Sequence, residues 1–220
     1  MEDSVQHAET TTDNAQSGIW PRYKWLLIGV GALLFGLLAG WAVIALIDAS
    51  YTYHGTVIQS PDPANNFTLT GPDGELVSLD DFRGQAVMLY FGYTFCPDVC
   101  PATLVELAKA SQRLGKDADK LQVIMVTVDP MRDTPEKLDK YVTHFDPGFL
   151  GLTGTEDEIA AAATPFGIYY EKQEGSEATG YLMDHTASVI VVDPEGHLRL
   201  IYPFGTSGED IAEDIRHMVR

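Results

Sequence analysis

The two cysteines of the chain, Cys96 and Cys100, are the residues whose type and spacing point most directly to chemistry. They stand in the stretch F-C-P-D-V-C-P. Pro101 opens a predicted helix over residues 101–114, which places Cys96 on the preceding loop and Cys100 at the mouth of the helix. A helix N-terminus favours the thiolate, the form of cysteine that attacks and binds metals. The spacing therefore allows the pair to bind one metal ion or to form a disulfide.

A purely structural disulfide is the main alternative for this pair, because paired cysteines are common in exported domains of oxidising compartments. A bond between positions this close closes a very short loop and constrains the unfolded chain little. A chemical role is therefore favoured over a stabilising one.

One of the six histidines, His185, is a candidate partner for the cysteines. It stands in the stretch M-D-H-T, immediately before a predicted buried strand at residues 187–192. The order of elements described below would bring this segment close to the helix that carries Cys100. The alternative is a capping or core histidine, which is the usual role of a lone histidine.

Two thiolates and one imidazole form a soft ligand set of low coordination number. Such a set suits copper(I), and imidazole also serves copper(II). Structural zinc sites normally use four protein ligands, and the sequence offers no fourth cysteine or well-placed histidine. Zinc is therefore the weaker candidate.

The elements that must position these residues follow from hydrophobic periodicity and turn residues. Continuous apolar runs predict buried strands, and capped amphipathic segments predict helices. In chain order the predicted elements are a hairpin at 67–79, a strand at 86–91, the helix at 101–114, a strand at 121–128, a helix opening at Thr134, a helix at 155–164, strands at 187–192 and 198–202, and a helix at 208–219. This order predicts an α/β, thioredoxin-like fold with an N-terminal hairpin and inserted elements.

A charge-free run of 23 residues at 25–47 predicts a single transmembrane helix preceding this domain. A cleaved signal peptide is the alternative, but the run is longer than such segments and follows a polar tail. Arg22 and Lys24 before the run predict a cytoplasmic N-terminus. We therefore expect a cytoplasmic tail at 1–24, a linker at 48–65 and, on the periplasmic or equivalent extracytoplasmic side, a domain at 66–220.

Net charge excludes one class of partner. The chain carries 32 acidic and 14 basic residues, a formal charge of −18. A phosphate backbone would repel it, so no nucleic-acid partner is expected. An anionic membrane surface would repel it too, which leaves the predicted helix as the only membrane tether.

Three motifs resemble the Sco/SenC family of copper chaperones. The stretch Y-T-F-C-P-D-V-C-P at residues 93–101 is similar to the family signature Y-T-x-C-P-D-x-C-P. The stretch V-D-P-M-R-D-T-P-E at 128–136 resembles its V-D-P-x-R-D-T-P-E segment, and D-H-T at 184–186 resembles its D-H-[ST] step. The likeness covers about residues 55–219, with the motifs in the family's order.

The resemblance implies a thioredoxin-like domain that binds copper, as Cu(I), Cu(II) or both, through Cys96, Cys100 and His185. It also implies a role in assembling the binuclear copper centre of cytochrome c oxidase. The partners would be the copper-bearing oxidase subunit and an upstream copper donor. Asp129 and Asp184 resemble acidic positions near the family's site.

Two other activities compete with the chaperone hypothesis. A thiol–disulfide oxidoreductase would use Cys96 as the attacking thiolate and Cys100 as the resolving thiol, and would keep the cysteines of an oxidase subunit reduced. The usual redox pair has two intervening residues rather than three, which weakens this hypothesis. A peroxidase is disfavoured, because the peroxiredoxin signature P-x-x-x-[TS]-x-x-C is absent around Cys96.

Overall fold

The computed structural model describes residues 20–49, 51–59, 61–176 and 180–220. The predicted tail at 1–24 therefore lies mostly outside the described residues. Five α-helices are found in the described part of the chain: α1 (Trp20–Ala49), α2 (Val99–Leu114), α3 (Pro135–Val142), α4 (Glu156–Ala163) and α5 (Gly208–Met218).

The strands, in chain order, are β1 (Thr56–Val57), β2 (Thr68–Thr70), β3 (Leu76–Ser78), β4 (Ala86–Gly92), β5 (Leu121–Thr127), β6 (Leu150–Leu152), β7 (Tyr170–Glu174), β8 (Tyr181–His185), β9 (Val189–Val192) and β10 (Leu198–Tyr202). Six of them form one sheet in the order β1-β10-β9-β4-β5-β6. Strands β2 and β3 form one separate hairpin, and β7 and β8 form another.

The centre of the large sheet follows from the apolar runs of the sequence. Every residue of β4 is buried, as expected of a strand covered on both faces. Strands β4 and β5 are parallel, with Gly92 opposite Thr127 at their carboxyl ends. The loops that follow these two strands therefore leave the sheet at the same edge, which is where the site lies.

Helices α2 and α5 pack against each other and help to cover the sheet. Their buried faces include Leu104 and Leu107 of α2 and Ile211 and Ile215 of α5. At Gly208 an added Cβ would lie 2.5 Å from the backbone oxygen of Glu106, so the close approach of the two helices requires glycine there. This packing fixes the helix that carries Cys100.

Helix α1 forms a unit of its own, because the chain divides into two compact units between Thr52 and Tyr53. Within α1, Tyr23–Val43 is long and apolar enough to cross a membrane, with a mean hydropathy of 2.3. By length and composition this helix fits a membrane anchor.

The second half of the predicted linker is folded onto the domain. Strand β1 pairs with β10, and the backbone N–H groups of His54 and Gly55 donate to the carboxylate of Asp214, which is fully buried. Tyr202 donates its hydroxyl to the same carboxylate. The domain therefore begins near Tyr53, and the buried carboxylate explains why a short polar segment is ordered there.

Candidate metal centre

The two cysteines lie at the junction between β4 and α2. Cys96 is half-buried on the connecting loop, whereas Cys100 sits in the first turn of α2 with no exposed surface. The backbone N–H of Cys100 points to the Cys96 sulfur, with 3.4 Å between nitrogen and Sγ. Both cysteine thiols thus face one point at the amino end of the helix.

His185, the last residue of β8, completes the group. Its Nε2 lies 3.4 Å from the Sγ of Cys100, and its Nδ1 lies 3.2 Å from the backbone oxygen of Thr186. A carbonyl oxygen only accepts hydrogen bonds, so Nδ1 carries the proton in the neutral ring and Nε2 keeps a lone pair for a metal. The structure therefore brings together the three residues expected from the sequence.

The spacing of these donors suits one small ion. The sulfurs of Cys96 and Cys100 and the ligand nitrogen of His185 all lie within 4.8 Å of one another. Thiolate and imidazole bond a metal such as zinc at about 2.0–2.3 Å, so two donors across one ion stand about 4–4.6 Å apart. Within the described ranges, no other group of histidine, cysteine and acidic side chains meets the same spacing criterion.

The walls around this group are aromatic and tightly packed. The rings of Tyr90 and Tyr93 meet His185 edge-on, at centroid distances of 6.0 and 5.9 Å. A Cβ on Gly92 would lie 3.0 Å from the Cys100 sulfur and 2.8 Å from the Tyr90 ring. Only glycine leaves room here for Cys100. Burial raises the pKa of the Tyr90 phenol, which keeps this neighbour neutral.

The two thiols have opposite acidities. The hydrogen bond that the Cys100 thiol donates to the Cys96 sulfur lowers the pKa of Cys96, and the backbone N–H groups of Cys100 and Asp98 lower it further. The same hydrogen bond, which the protonated Cys100 donates, raises the pKa of Cys100, and burial raises it further. Without a metal, Cys96 is therefore the thiolate and Cys100 the thiol.

Asp133 anchors the cysteine loop, a function that the sequence analysis missed. Its fully buried carboxylate accepts hydrogen bonds from the backbone N–H of Thr94 at 2.9 Å and the hydroxyl of Thr127 at 2.8 Å. Lys137 balances the charge at 3.2 Å. The loop two residues before Cys96 is thereby tied to the end of β5.

Asp129 lies at the other end of the turn that connects β5 to α3. Its buried carboxylate pairs with Arg132 and accepts the hydroxyl of Tyr181 at 2.7 Å. The guanidinium carbon of Arg132 lies 3.6 Å from the ring centroid of Tyr181 and 4.8 Å from that of Phe95. Since Tyr181 begins β8 and Phe95 precedes Cys96, this cluster links the strand of His185 to the cysteine loop.

The second acidic candidate, Asp184, is not brought into this group. Its side chain is exposed on β8, where alternate side chains point to opposite faces, so it projects away from the side that carries His185. Its strand partner is Glu171 on β7. Through its side-chain contacts with Arg132 and Tyr181, Asp129 is the acidic candidate connected to the segments that carry Cys96 and His185.

The sequence model of the SCO1/SenC family matches residues 56–220. The chain belongs to the SCO1/SenC family. The mitochondrial SCO2 homologue of Mus musculus is 33% identical over 193 residues, which cover 84% of this chain and 76% of the mouse protein. Membership confirms the resemblance carried by the three motifs.

Solved SCO1/SenC structures confirm the thioredoxin-like fold. The solution structure of apo Sco1 from Thermus thermophilus has a TM-score of 0.69 and 42% identity, covering 76% of this chain and 98% of that protein. Bradyrhizobium japonicum ScoI, solved with copper bound, has a TM-score of 0.65 and 36% identity, covering 71% of this chain and 99% of ScoI.

The unequal acidities predict selective alkylation in this SCO1/SenC domain. In the reduced, metal-free full-length chain, iodoacetamide should label Cys96 and spare Cys100, and peptide mass spectrometry distinguishes the two. The pKa of Cys96 is lowered, so its thiolate is already formed above that pKa and the rate should be nearly flat from about pH 6 to 8, where an unshifted thiol gains about tenfold per pH unit. A rate that climbs through this interval, or equal labelling of both cysteines, would contradict the assignment.

Proposed function

We propose that this protein is a membrane-anchored copper carrier that binds copper through Cys96, Cys100 and His185 and supplies it to the binuclear copper centre of cytochrome c oxidase. The observation that carries the proposal is the convergence of two cysteine sulfurs and one imidazole nitrogen within 4.8 Å. The copper-bound ScoI relative supports copper as the metal. The family motifs support the oxidase as the recipient.

The chemistry of the donors supports copper over zinc. Thiolate sulfur prefers soft ions such as copper(I), and the imidazole of His185 adds a donor that copper(II) also accepts. Three donors leave a zinc ion one short of the four that structural sites normally provide. Because metal binding requires thiolates, loading would release the proton that Cys100 holds in the metal-free chain.

The exposure of the donors suggests how the cargo leaves. Cys96 and His185 are partly exposed, whereas Cys100 is fully buried. A thiolate of the recipient would therefore displace Cys96 and His185 first, and Cys100 would be the last ligand to dissociate from the copper ion. Such ligand exchange moves copper(I) without a change of oxidation state.

The topology is part of the proposal. Residues 25–47 would span the membrane, with the tail at 1–24 in the cytoplasm. A linker from residue 48 to the start of the folded domain near Tyr53 would hold that domain on the extracytoplasmic side. The excess of Arg22 and Lys24 before the span supports this orientation, as does the absence of lysine and arginine just after it.

Thiol–disulfide exchange is the second candidate function, and the acidity of Cys96 favours it. A half-buried thiolate beside a buried thiol is the arrangement of an attacking and a resolving cysteine. The reduced pair would give two electrons to a disulfide of the oxidase subunit and become a disulfide itself. Both activities use the same sulfurs, and His185 is needed only for the first.

Oxidase maturation in cells tests the proposal. Cells that lack this protein should make an oxidase whose binuclear centre contains little copper, and its activity should be lower than in wild-type cells. The wild-type chain should restore both, and a chain with Cys96→Ser and Cys100→Ser should restore neither. Equal copper content of the oxidase with and without the protein would refute the proposed role.

A further inference from the structure

A basic face lies beside the cysteine loop, in a chain that is otherwise strongly acidic. On α3 and the turn that follows it, positions 137, 140, 141 and 144 have the spacing of a single helix face. Together with the loop they border an open groove of about 350 Å³. We name this surface the α3 basic face; its lining residues are Thr94, Phe95, Lys137, Lys140, Tyr141 and His144.

The charge of this face is positive and accessible. None of its six lining residues is acidic, although the part of the chain from residue 49 onward carries 27 acidic and 12 basic residues. Lys137 is committed to Asp133, but Lys140 is exposed and makes no ion pair within the described ranges. Lys140 therefore has an unused charge at the rim of the groove.

The acidic residues of α3 do not neutralise this charge. Glu136 stands four positions before Lys140, but it bonds its own backbone N–H and the Thr134 side chain at the start of the helix, and these contacts lower its pKa. Asp139 falls on another side of α3 by helical periodicity. The basic face is therefore open to an outside carboxylate.

The groove also has an apolar wall that reaches the site. Phe95 is 43% exposed and presents an apolar surface to the groove. Arg132 packs over its ring at 4.8 Å. Since Phe95 is followed directly by Cys96, the groove adjoins the loop that carries the outer thiolate.

We propose that the α3 basic face docks an acidic segment of the protein that exchanges copper with Cys96. A carboxylate of this segment would pair with Lys140, and an apolar side chain would lie against Phe95. Charge complementarity argues for this occupant, because the groove has no acidic lining residue and Lys140 has an unused charge there, in a chain whose net charge of −18 otherwise disfavours an acidic partner. The inference rests on the proposed function and adds the direction from which the partner approaches.

Peptide binding to the metal-free chain tests this docking separately from copper chemistry. The full-length protein is placed in nanodiscs of zwitterionic lipid. The probe is a short fluorescent peptide of glutamates with one phenylalanine, and its counterpart has glutamine at every glutamate. Fluorescence anisotropy should show binding of the acidic peptide only, weakening as salt rises from low to physiological concentration.

Charge reversal locates the binding surface. Lys140→Glu should weaken peptide binding by about fivefold, the effect expected for the loss and reversal of one exposed ion pair, and Lys140→Gln by less. The matched control is Lys116→Glu, which changes the net charge equally at another exposed lysine and should leave binding within about twofold. Circular dichroism verifies that each variant is folded.

Several results would overturn the inference. These are absence of binding to the acidic peptide, equal weakening by Lys140→Glu and Lys116→Glu, or Lys140-dependent attachment to phosphatidylglycerol vesicles in place of the peptide. Lys140→Glu should also bind copper as the wild type does. If copper fails to bind to any variant while peptide binding still depends on Lys140, the proposed function fails and the docking surface stands.

Discussion

His185→Ala should abolish the stable copper(II) complex of the full-length protein and leave weaker copper(I) binding. The two thiolates remain and suit copper(I), but copper(II) relies on the imidazole nitrogen, which lies 3.4 Å from Cys100. We expect the affinity for copper(II) to fall by at least about a hundredfold, as losing a directly bound ligand should cost no less than losing the partner that orients it. Titration followed by the sulfur-to-copper absorption band measures this loss.

The same variant separates the two candidate functions. The Cys96–Cys100 disulfide needs no histidine, so disulfide exchange with a small dithiol should proceed as in the wild type, while oxidase maturation in cells fails. The matched control is His54→Ala, at an exposed histidine outside both the three-residue group and the α3 basic face. Full maturation by His185→Ala with unchanged copper(II) binding would contradict the carrier mechanism and favour the oxidoreductase.

The sequence was sufficient to predict the elements whose pattern is strong. Strands β4 and β5 are continuous apolar runs, and the predicted hairpin at 67–79 is found as β2 and β3. Burial on both faces leaves little ambiguity in such strands, and the turn tetrad at residues 71–74 marks the hairpin. Helix α2 begins at Val99, two residues before the prediction, so Cys100 lies inside its first turn.

The elements that were missed have weak local patterns. Strand β7 is exposed after its first residue and reads Y-E-K-Q-E, which gives no alternation between apolar and polar residues. Strand β8 was interpreted as the approach to a buried strand, but it pairs only with β7. Strands β1 and β6 are two and three residues long, and pairing with distant strands defines them.

Residue type alone was enough to propose the metal-binding residues, whereas the residues that hold them in place could be identified only from the fold. Cysteine and histidine have few roles, so Cys96, Cys100 and His185 could be proposed directly. Aspartate and arginine are common on protein surfaces, so nothing in their residue types singled out Asp133 and Arg132. Only the folded chain shows that Asp133 is fully buried beneath Thr94. Their position in the V-D-P-M-R-D-T-P-E stretch was the one signal available.

Oxidation of the cysteine pair should abolish copper uptake. Forming the Cys96–Cys100 bond transfers two electrons from the pair to an added oxidant and releases the one proton that Cys100 holds, and a disulfide sulfur cannot bind as thiolate. These are the only cysteines of the chain, so a thiol count reports on this pair alone. The effect should be complete and should reverse when a dithiol reduces the bond.

The most direct measurement is the copper content of the purified full-length chain, loaded anaerobically with copper(I) in its reduced and oxidised forms and then freed of unbound metal. The double variant Cys96→Ser and Cys100→Ser serves as the control for adventitious binding. We predict about one copper per reduced chain and almost none in the oxidised chain or the double variant. Equal copper in the reduced and oxidised forms, or none in either, would contradict a metal centre built on Cys96 and Cys100.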